Sequence, residues 1–302
     1  MSIDDHSALP KGKDIGYLAL GVVGIGTSGP VIALSSMPVP SLIFWRNLGG
    51  ALVMSPFAIR AKEWRTAEQR RSIRQSAIAG VFLAAHFLGF FAAMRLTSVA
   101  AGTALTTTQP IFAALYLRFK GEDIPRRAWW GMSIAFLSVL LITGFDLRLS
   151  FRTFLGDLAA LIGAALAAAY MLIGSKAQKA VSTATYTSVC YGTCAITALP
   201  VTLIAGFQLF HFPAKQWLLV LALILGAQML GHTMFNLSLK RVSPAIVSLI
   251  VFFEVPVSAI LAFWWLGQHP ASGTIPGIIG LLLGCGFFVF RSKVQPADIA
   301  VD

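Results

Sequence analysis

The chain has 302 residues, of which 57% are hydrophobic and 12% charged, and its formal net charge at pH 7 is +11. Water-soluble domains carry about 25% charged residues, so this composition excludes a soluble globular protein and indicates that lipid surrounds the chain. The positive charge does not imply a nucleic-acid partner, because the cytoplasmic loops of membrane proteins are rich in Lys and Arg. We therefore expect a lipid bilayer, and no nucleic acid, as a partner.

Ten stretches are apolar and long enough to cross a membrane, which takes about 20 helical residues. Numbered in chain order, spans 1 to 10 are predicted at residues 15–35, 41–59, 75–94, 99–117, 128–145, 155–173, 183–206, 216–239, 244–265 and 274–290. The predicted fold class is an all-α integral membrane protein with ten transmembrane helices.

The cations fall unevenly on the two sides of these spans. If successive loops alternate between the sides, one side receives eighteen Lys and Arg residues and the other only four, which are Arg95, Arg148, Arg152 and Lys215. The richer side is cytoplasmic according to the positive-inside rule. We therefore predict a multi-pass protein of the cytoplasmic (inner) membrane, with its N-terminus and its C-terminus in the cytoplasm.

An internal repeat relates the two halves of the chain. Residues 80–137 align without a gap with residues 226–283, and the identical pairs include His86 with His232 and Pro110 with Pro256. Each repeat holds five spans, so the second repeat enters the membrane from the opposite side. Such inverted repeats are typical of secondary transporters, which bind their substrate near the midplane, between the repeats.

This repeat predicts five regions along the chain. They are a cytoplasmic N-terminal segment at 1–14, a first five-helix repeat at 15–145, an extracytoplasmic linker at 146–154, a second five-helix repeat at 155–291 and a cytoplasmic tail at 292–302. The two repeats are expected to enclose a central cavity and to expose it alternately to each side of the membrane.

Several features together resemble the EamA-like branch of the drug/metabolite transporter superfamily. They are the ten spans, a Gly-rich span 1, Arg46 in span 2, Gln109-Pro110 in span 4 and Glu254-Val255-Pro256 in span 9. The resemblance implies that spans 1, 3, 4, 6, 8 and 9 surround a central cavity. The sequence is most similar to the bacterial aromatic amino acid exporters, which implies export of aromatic or large neutral amino acids. A broad-specificity drug or metabolite exporter of the same family is the alternative.

Glu254 is the most conspicuous candidate for solute binding. It lies about 15–20 Å deep, counted from the charged edge of span 9 at 1.5 Å per residue. Ionisable groups at such depth usually face the protein interior or a wet cavity. Glu254 either binds a substrate amino group or exchanges a proton, or else it fixes helix packing.

The eighth span carries a stripe of polar residues. Gln228 and Asn236 lie four residues before and after His232, so the three are expected on one helix face. Together with His86 in span 3 they offer donors and acceptors to a zwitterion, and Tyr170 is a candidate for an aromatic lining. The alternative for the polar residues is hydrogen bonding between helices, and the alternative for Tyr170 is a position that faces lipid or lies in an interfacial belt.

Prolines and glycines mark points where the helices can bend or approach closely. Pro110 follows Gln109 and removes a backbone hydrogen bond from span 4, and Pro256 repeats this in span 9. Freed carbonyls at such a point either line a cavity, with Gln109 beside them, or are met by the nearby Thr106. The corresponding residues of span 1 are Gly24, Gly26 and Pro30. We predict that these are gating or kink positions, with close helix packing as the alternative.

Arg46 lies about five residues inside the external edge of span 2. We expect its side chain to extend to the lipid headgroups, with a salt bridge to a substrate carboxylate as the alternative. Gly280 and Gly284 form one GxxxG step in span 10, which packs either inside the protein or between two copies.

The sequence offers little material for other functions. It contains no HExxH, GxSxG or Walker A motif, and one Glu254 does not make the ring of charges that a channel needs. We therefore expect no enzyme activity, no catalytic residue, no cofactor and no metal. The expected partner is a small-molecule solute, and the expected state is a monomer or a weak homodimer.

Overall fold

The computed structural model describes residues 12–124, 126–144, 150–239, 241–242 and 244–290, and the regular elements in these ranges are all helical. The α-helices are α1 Lys13–Gly26, α2 Ser28–Leu34, α3 Val39–Ala61, α4 Ala67–Leu96, α5 Val99–Thr106, α6 Gln109–Phe119, α7 Arg126–Gly144, α8 Phe151–Ala177, α9 Thr183–Ile204, α10 Ala214–Ala222, α11 Met234–Ser238, α12 Pro244–Ile250, α13 Glu254–Leu266 and α14 Thr274–Phe290. A π-helix, Leu223–Thr233, joins α10 to α11, and a 3-10 turn, Val251–Phe253, joins α12 to α13.

These elements coincide with the ten predicted spans. Among the described residues, six helical stretches are long and apolar enough to cross a membrane: Lys13–Leu34, Val39–Ala61, Ala67–Leu96, Phe151–Ala177, Thr183–Ile204 and Ala214–Ser238. Spans 5, 9 and 10 contain the shorter apolar helices Ala128–Thr143, Val251–Leu266 and Thr274–Gly284, and span 4 is formed by α5 and α6. Large apolar side chains such as Ile196 and Ile204 are exposed on the outside, as expected of lipid-facing helices. The chain is therefore a multi-pass membrane protein.

The predicted terminal regions lie largely outside the described residues. Of the N-terminal segment at 1–14 only residues 12–14 are described, and of the linker at 146–154 only residues 150–154. The tail at 292–302 is not described at all.

Four spans are interrupted, and three of the interruptions lie near a predicted kink position. Span 1 breaks at Thr27, because α1 ends at Gly26 and α2 begins at Ser28, two residues before Pro30. The Thr27 hydroxyl donates to the Gly24 carbonyl oxygen at 2.7 Å, which satisfies a backbone group freed at the break. Span 8 contains the π-helix, where no proline is present.

The interruption in span 4 lies just before Pro110. The hydroxyl groups of Thr107 and Thr108 donate to the carbonyl oxygens of Ala104 and Leu105 at 2.8 and 2.6 Å. One alternative from the sequence was that Thr106 meets the freed carbonyls, but its hydroxyl oxygen has no partner among the described residues. A threonine hydroxyl reaches the carbonyl oxygen three or four residues earlier in the chain. The carbonyl oxygens at the break are therefore within reach of Thr107 and Thr108, and not of Thr106.

Span 9 is interrupted by the 3-10 turn that precedes Glu254. Pro256 is the third residue of α13. The first four N–H groups of a helix have no acceptor within that helix, so a proline at this position costs no helical hydrogen bond. Both prolines therefore lie in the first turn of a new helix, and the break precedes each of them.

The GxxxG step of span 10 packs inside the protein. A methyl group added to Gly284 would lie 3.1 Å from the Gly131 carbonyl oxygen, and one added to Gly280 would lie 2.5 Å from the Ser138 hydroxyl oxygen. Both neighbours belong to α7, so the small residues of α14 allow α7 and α14 to approach closely.

Candidate functional site

A central cavity lies between six spans. Its walls come from spans 1, 3, 4, 6, 8 and 9, which are the six that the family resemblance implies. The polar lining residues are Ser28, His86, Thr106, Thr107, Gln109, Tyr170, His232, Asn236 and Glu254. The aromatic lining residues other than these are Phe87, Phe90 and Phe235. The arrangement combines an apolar wall with convergent polar groups, as small-molecule sites do.

The cavity is narrow in this conformation. Its volume is about 50 Å³, and a single buried water needs about 10–15 Å³ of such space. The cavity therefore has room for a few waters, and a solute the size of an amino acid requires its walls to move apart.

Glu254 lines this cavity at the first residue of α13. Its side chain is buried, and no ion pair to its carboxylate is found among the described residues. A buried carboxylate that lines a cavity and forms no ion pair with a described residue suits a ligand that brings its own positive charge.

The two histidines of the repeat lie on the same cavity. The Nδ1 atom of His86 is 3.0 Å from the Gly163 carbonyl oxygen, so a neutral ring donates from Nδ1 and keeps Nε2 as an acceptor. The ring of His232 packs edge-on against Phe87 and Tyr170, with centroid distances of 5.5 and 6.4 Å.

Tyr170 and Asn236 connect spans 6 and 8. The Asn236 Nδ2 group donates to the Tyr170 hydroxyl oxygen at 3.1 Å, and that hydroxyl is 3.4 Å from Asn236 Oδ1. Both residues line the cavity. Their contact fixes one wall and joins an aromatic group to an amide.

Only two of the three residues of the predicted polar stripe of span 8 line the cavity, which corrects the expectation that all three bind the solute there. His232 and Asn236 line the cavity, whereas Gln228 lies against α3, with its Nε2 3.4 Å from Asn47 Oδ1. Gln228 and His232 both lie in the π-helix, whose i→i+5 hydrogen bonds widen the turn. The Thr233 hydroxyl marks this wider turn by donating to the Gln228 carbonyl oxygen at 2.9 Å.

The predicted gating and kink positions lie around the cavity rather than in its lining. Gly24 packs against the π-helix so closely that a methyl group there would lie 2.6 Å from the Gly231 nitrogen. A methyl group on Gly26 would overlap the Val257 side chain in span 9. Pro30, Pro110 and Pro256 each stand in the first turn after an interruption.

Arg46 does not extend to the membrane surface, contrary to the sequence-based expectation. Its side chain is completely buried, and its guanidinium carbon lies 4.3 Å from the Phe87 ring centroid and 5.6 Å from that of Phe91. Arg46 therefore points from α3 toward α4 and the interior, where an arginine stacks on aromatic rings. Depth along the helix could not reveal this, because direction around the helix decides whether a side chain can reach the headgroups.

Three polar lining residues were not predicted: Ser28, Thr106 and Thr107. Each stands within two residues of a helix interruption. A Ser or Thr within four residues of a Pro inside a span is a signal that would have located them, since hydroxyl groups near such a break can satisfy freed backbone groups or line a cavity.

The sequence profile of the EamA-like transporter family matches residues 13–144 and also residues 154–290. The chain belongs to this family. As an EamA-like protein it is a membrane transporter of small molecules and not an enzyme.

Similar proteins bear names that agree with this assignment. An "Uncharacterized transporter" of Archaeoglobus fulgidus is 27% identical over 222 residues, which are 72% of this chain and 74% of that protein. The "Pseudopaline exporter CntI" of Pseudomonas aeruginosa is 22% identical over 256 residues, 84% of this chain and 87% of the exporter. The "Uncharacterized transporter YxxF" of Bacillus subtilis is 23% identical over 296 residues, 95% and 93% of the two chains.

The fold is also found among solved structures. One crystal structure has a TM-score of 0.67 to this chain at 17% sequence identity, covering 91% of this chain and 94% of the other. At that identity the similarity shows a shared fold and carries no statement about the solute.

Proposed function

We propose that this EamA-like protein is a secondary exporter of amino acids with aromatic or large neutral side chains, and that it works by alternating access. The observation that carries the proposal is the central cavity, which is lined by the Glu254 carboxylate, the amide of Asn236 and the aromatic rings of Phe87, Phe90 and Phe235. The carboxylate binds the ammonium group, the amide and histidine nitrogens bind polar ends, and the rings accept the side chain.

The two halves are proposed to be inverted five-helix repeats, spanning residues 15–145 and 155–291. The family profile matches two stretches of nearly these bounds. The packing of the helices supports this relation. Span 3 packs on span 6. The repeat relates span 3 to span 8 and span 6 to span 1, and spans 8 and 1 also pack on each other. Spans 2 and 7 pack on each other, and so do spans 5 and 10.

The helix interruptions support the same relation. Thr107 and Thr108 separate α5 from α6, and the repeat offset places them opposite Phe253 and Glu254. There the 3-10 turn ends and α13 begins. Two interrupted spans at equivalent depth, facing one cavity, are the arrangement in which repeats rock around a fixed site.

Both termini are proposed to be cytoplasmic. Helix α4 has 30 residues and is therefore about 45 Å long at 1.5 Å per residue. Lys62 precedes the first turn of α4, and Arg152 donates to the carbonyl oxygen of Arg95 in its last turn. Residues 62 and 150 therefore lie near opposite ends of this helix. Single cysteines in place of Lys62 and Ser150, in an otherwise cysteine-free protein, should react with a membrane-impermeant maleimide only at position 150 in intact cells. Equal labelling of the two positions would refute the orientation and the inverted repeat.

The transport proposal is tested in liposomes containing the purified protein. Uptake of radiolabelled phenylalanine should saturate and show counterflow, and tryptophan and phenylalanine should compete better than nucleosides or cationic drugs. A channel would instead give flux that rises linearly with concentration. A pH gradient across the liposome reveals whether proton movement accompanies the solute.

A variant pair tests the role of Glu254. Glu254→Gln should reduce phenylalanine flux by about tenfold or more, as expected when a charge-assisted hydrogen bond becomes a neutral one, while the amount of folded protein is preserved. Glu122→Gln makes the same change at an exposed loop position and should leave flux unchanged. Full flux in the Glu254 variant at equal abundance would remove this carboxylate from the site.

A broad-specificity metabolite or drug exporter is the second candidate. It is supported by the similarity to a protein named for export of a different compound, pseudopaline. In the competition experiment it would appear as comparable inhibition by several chemical classes, without preference for tryptophan and phenylalanine.

A further inference from the structure

Arg46 is the largest completely buried side chain among the described residues. Its Nε, Nη1 and Nη2 atoms are shielded from solvent, and none has a hydrogen-bond partner in the described part of the chain. The ion pairs found there, Arg118–Asp123 and Arg241–Asp14, do not involve it. A buried cation without an anion or a hydrogen bond is costly, so its presence calls for a function.

The guanidinium lies directly behind the cavity wall. The Phe87 ring that contacts it at 4.3 Å also lines the cavity. One aromatic ring therefore separates the cation from the space in which a solute would bind.

The unpartnered nitrogen atoms of Arg46 indicate which kind of ligand it can bind. A guanidinium carries five N–H donors in a rigid plane, which fit the two oxygens of a carboxylate. Contacts with the Phe87 and Phe91 rings engage the cation, but they leave all five N–H donors unused. A carboxylate would accept two parallel hydrogen bonds from these donors and neutralise the charge in one contact.

We infer that Arg46 binds a carboxylate group of the transported solute, reached from the cavity when the Phe87 ring moves aside. Glu254 and Arg46 do not form an ion pair with each other, so a zwitterionic amino acid can bind both, through its ammonium group and its carboxylate. This assignment rests on the proposed transport function and restricts its substrates to solutes that bear a carboxylate.

Three ligands with the same phenyl ring test the assignment. Phenylalanine carries both charged groups, 3-phenylpropionate carries only the carboxylate, and 2-phenylethylamine carries only the ammonium group. Their binding is measured with the purified wild-type protein as inhibition of labelled phenylalanine uptake into liposomes and as a rise in unfolding temperature. Arg46→Met should weaken binding of the two carboxylates by about 10- to 100-fold and that of the amine by less than about threefold.

Two further variants control for folding and for charge. Arg46→Lys keeps the positive charge without the planar donors, and should bind the carboxylates with intermediate affinity. It carries the test by itself if Arg46→Met is not recovered as folded protein. Arg74→Met removes a cation from an exposed position of α4 and should leave all three affinities unchanged.

The outcomes separate this assignment from the transport proposal. Equal weakening of acid and amine in the Arg46 variants, or wild-type affinity for all three ligands, would overturn the carboxylate site and leave amino acid transport standing. If the wild type binds the amine and neither carboxylate, the assignment is also wrong. Absence of saturable uptake and of binding by any of the three would refute the proposed function and the assignment together.

Discussion

Replacement of Arg46 by methionine should make the protein without solute more stable. In the wild type, the guanidinium is buried without a hydrogen bond or a counterion among the described residues. Two ring contacts offset part of the desolvation cost, and a desolvated cation–π contact contributes about 2 kcal/mol. Burial of an ion costs several kcal/mol even after relaxation, so the balance remains unfavourable.

Methionine removes that cost and keeps most of the packing. It is unbranched and makes favourable sulfur contacts with aromatic rings such as Phe87 and Phe91, worth about 0.3–1.5 kcal/mol. Apolar replacement of buried charges stabilises proteins by up to about 1–4 kcal/mol. For a chain of this size, about 2 °C per kcal/mol gives an expected rise in unfolding temperature of about 2–8 °C.

The purified protein in detergent is heated to a series of temperatures, and the fraction that remains folded is measured by size-exclusion chromatography. Arg95→Met is the matched control, since Arg95 donates to the Met37 carbonyl oxygen, and loss of that bond should lower stability by about 1–3 kcal/mol. A fall in unfolding temperature for Arg46→Met comparable to that of the control would refute the reasoning, because it would mean that the guanidinium is well compensated in the solute-free state.

Further predictions concern packing and helix ends. Gly24→Ala should destabilise the protein by about 1–3 kcal/mol through overpacking, because its methyl group meets the backbone of span 8. Gly16→Ala in the same helix meets no atom within 4 Å and should be neutral or slightly stabilising. Similar unfolding temperatures for the two variants would contradict this account. Glu63→Ala should lower stability by about 1–3 kcal/mol, since this carboxylate accepts bonds from the Ser182 backbone and hydroxyl, both at 2.7 Å, and from the Thr185 hydroxyl at 2.6 Å. An unchanged unfolding midpoint would show that solvent replaces these bonds at no cost. Tyr170→Phe should reduce phenylalanine flux several-fold by releasing Asn236, and undiminished uptake would argue that the wall does not depend on this contact.

The amino-acid sequence by itself determined the number and approximate position of the spans. A bilayer sets the length of an apolar helix, so composition along the chain is enough to locate it. The same reasoning identified Glu254, His86, His232 and Asn236 as polar groups in apolar helices, and all four line the cavity. Exposure of such polar groups to lipid is so costly that they usually face the interior of the protein.

Only the tertiary structure decided which direction each side chain takes. Gln228 packs against α3, at Asn47, instead of lining the cavity, and the residue pattern of span 8 did not indicate this contact. Arg46 is buried between aromatic rings of a neighbouring helix, although its depth would have allowed it to reach the headgroups. Depth in the membrane follows from position along the chain, whereas the direction around a helix axis follows from contacts with distant segments, and those contacts exist only once the helices have packed.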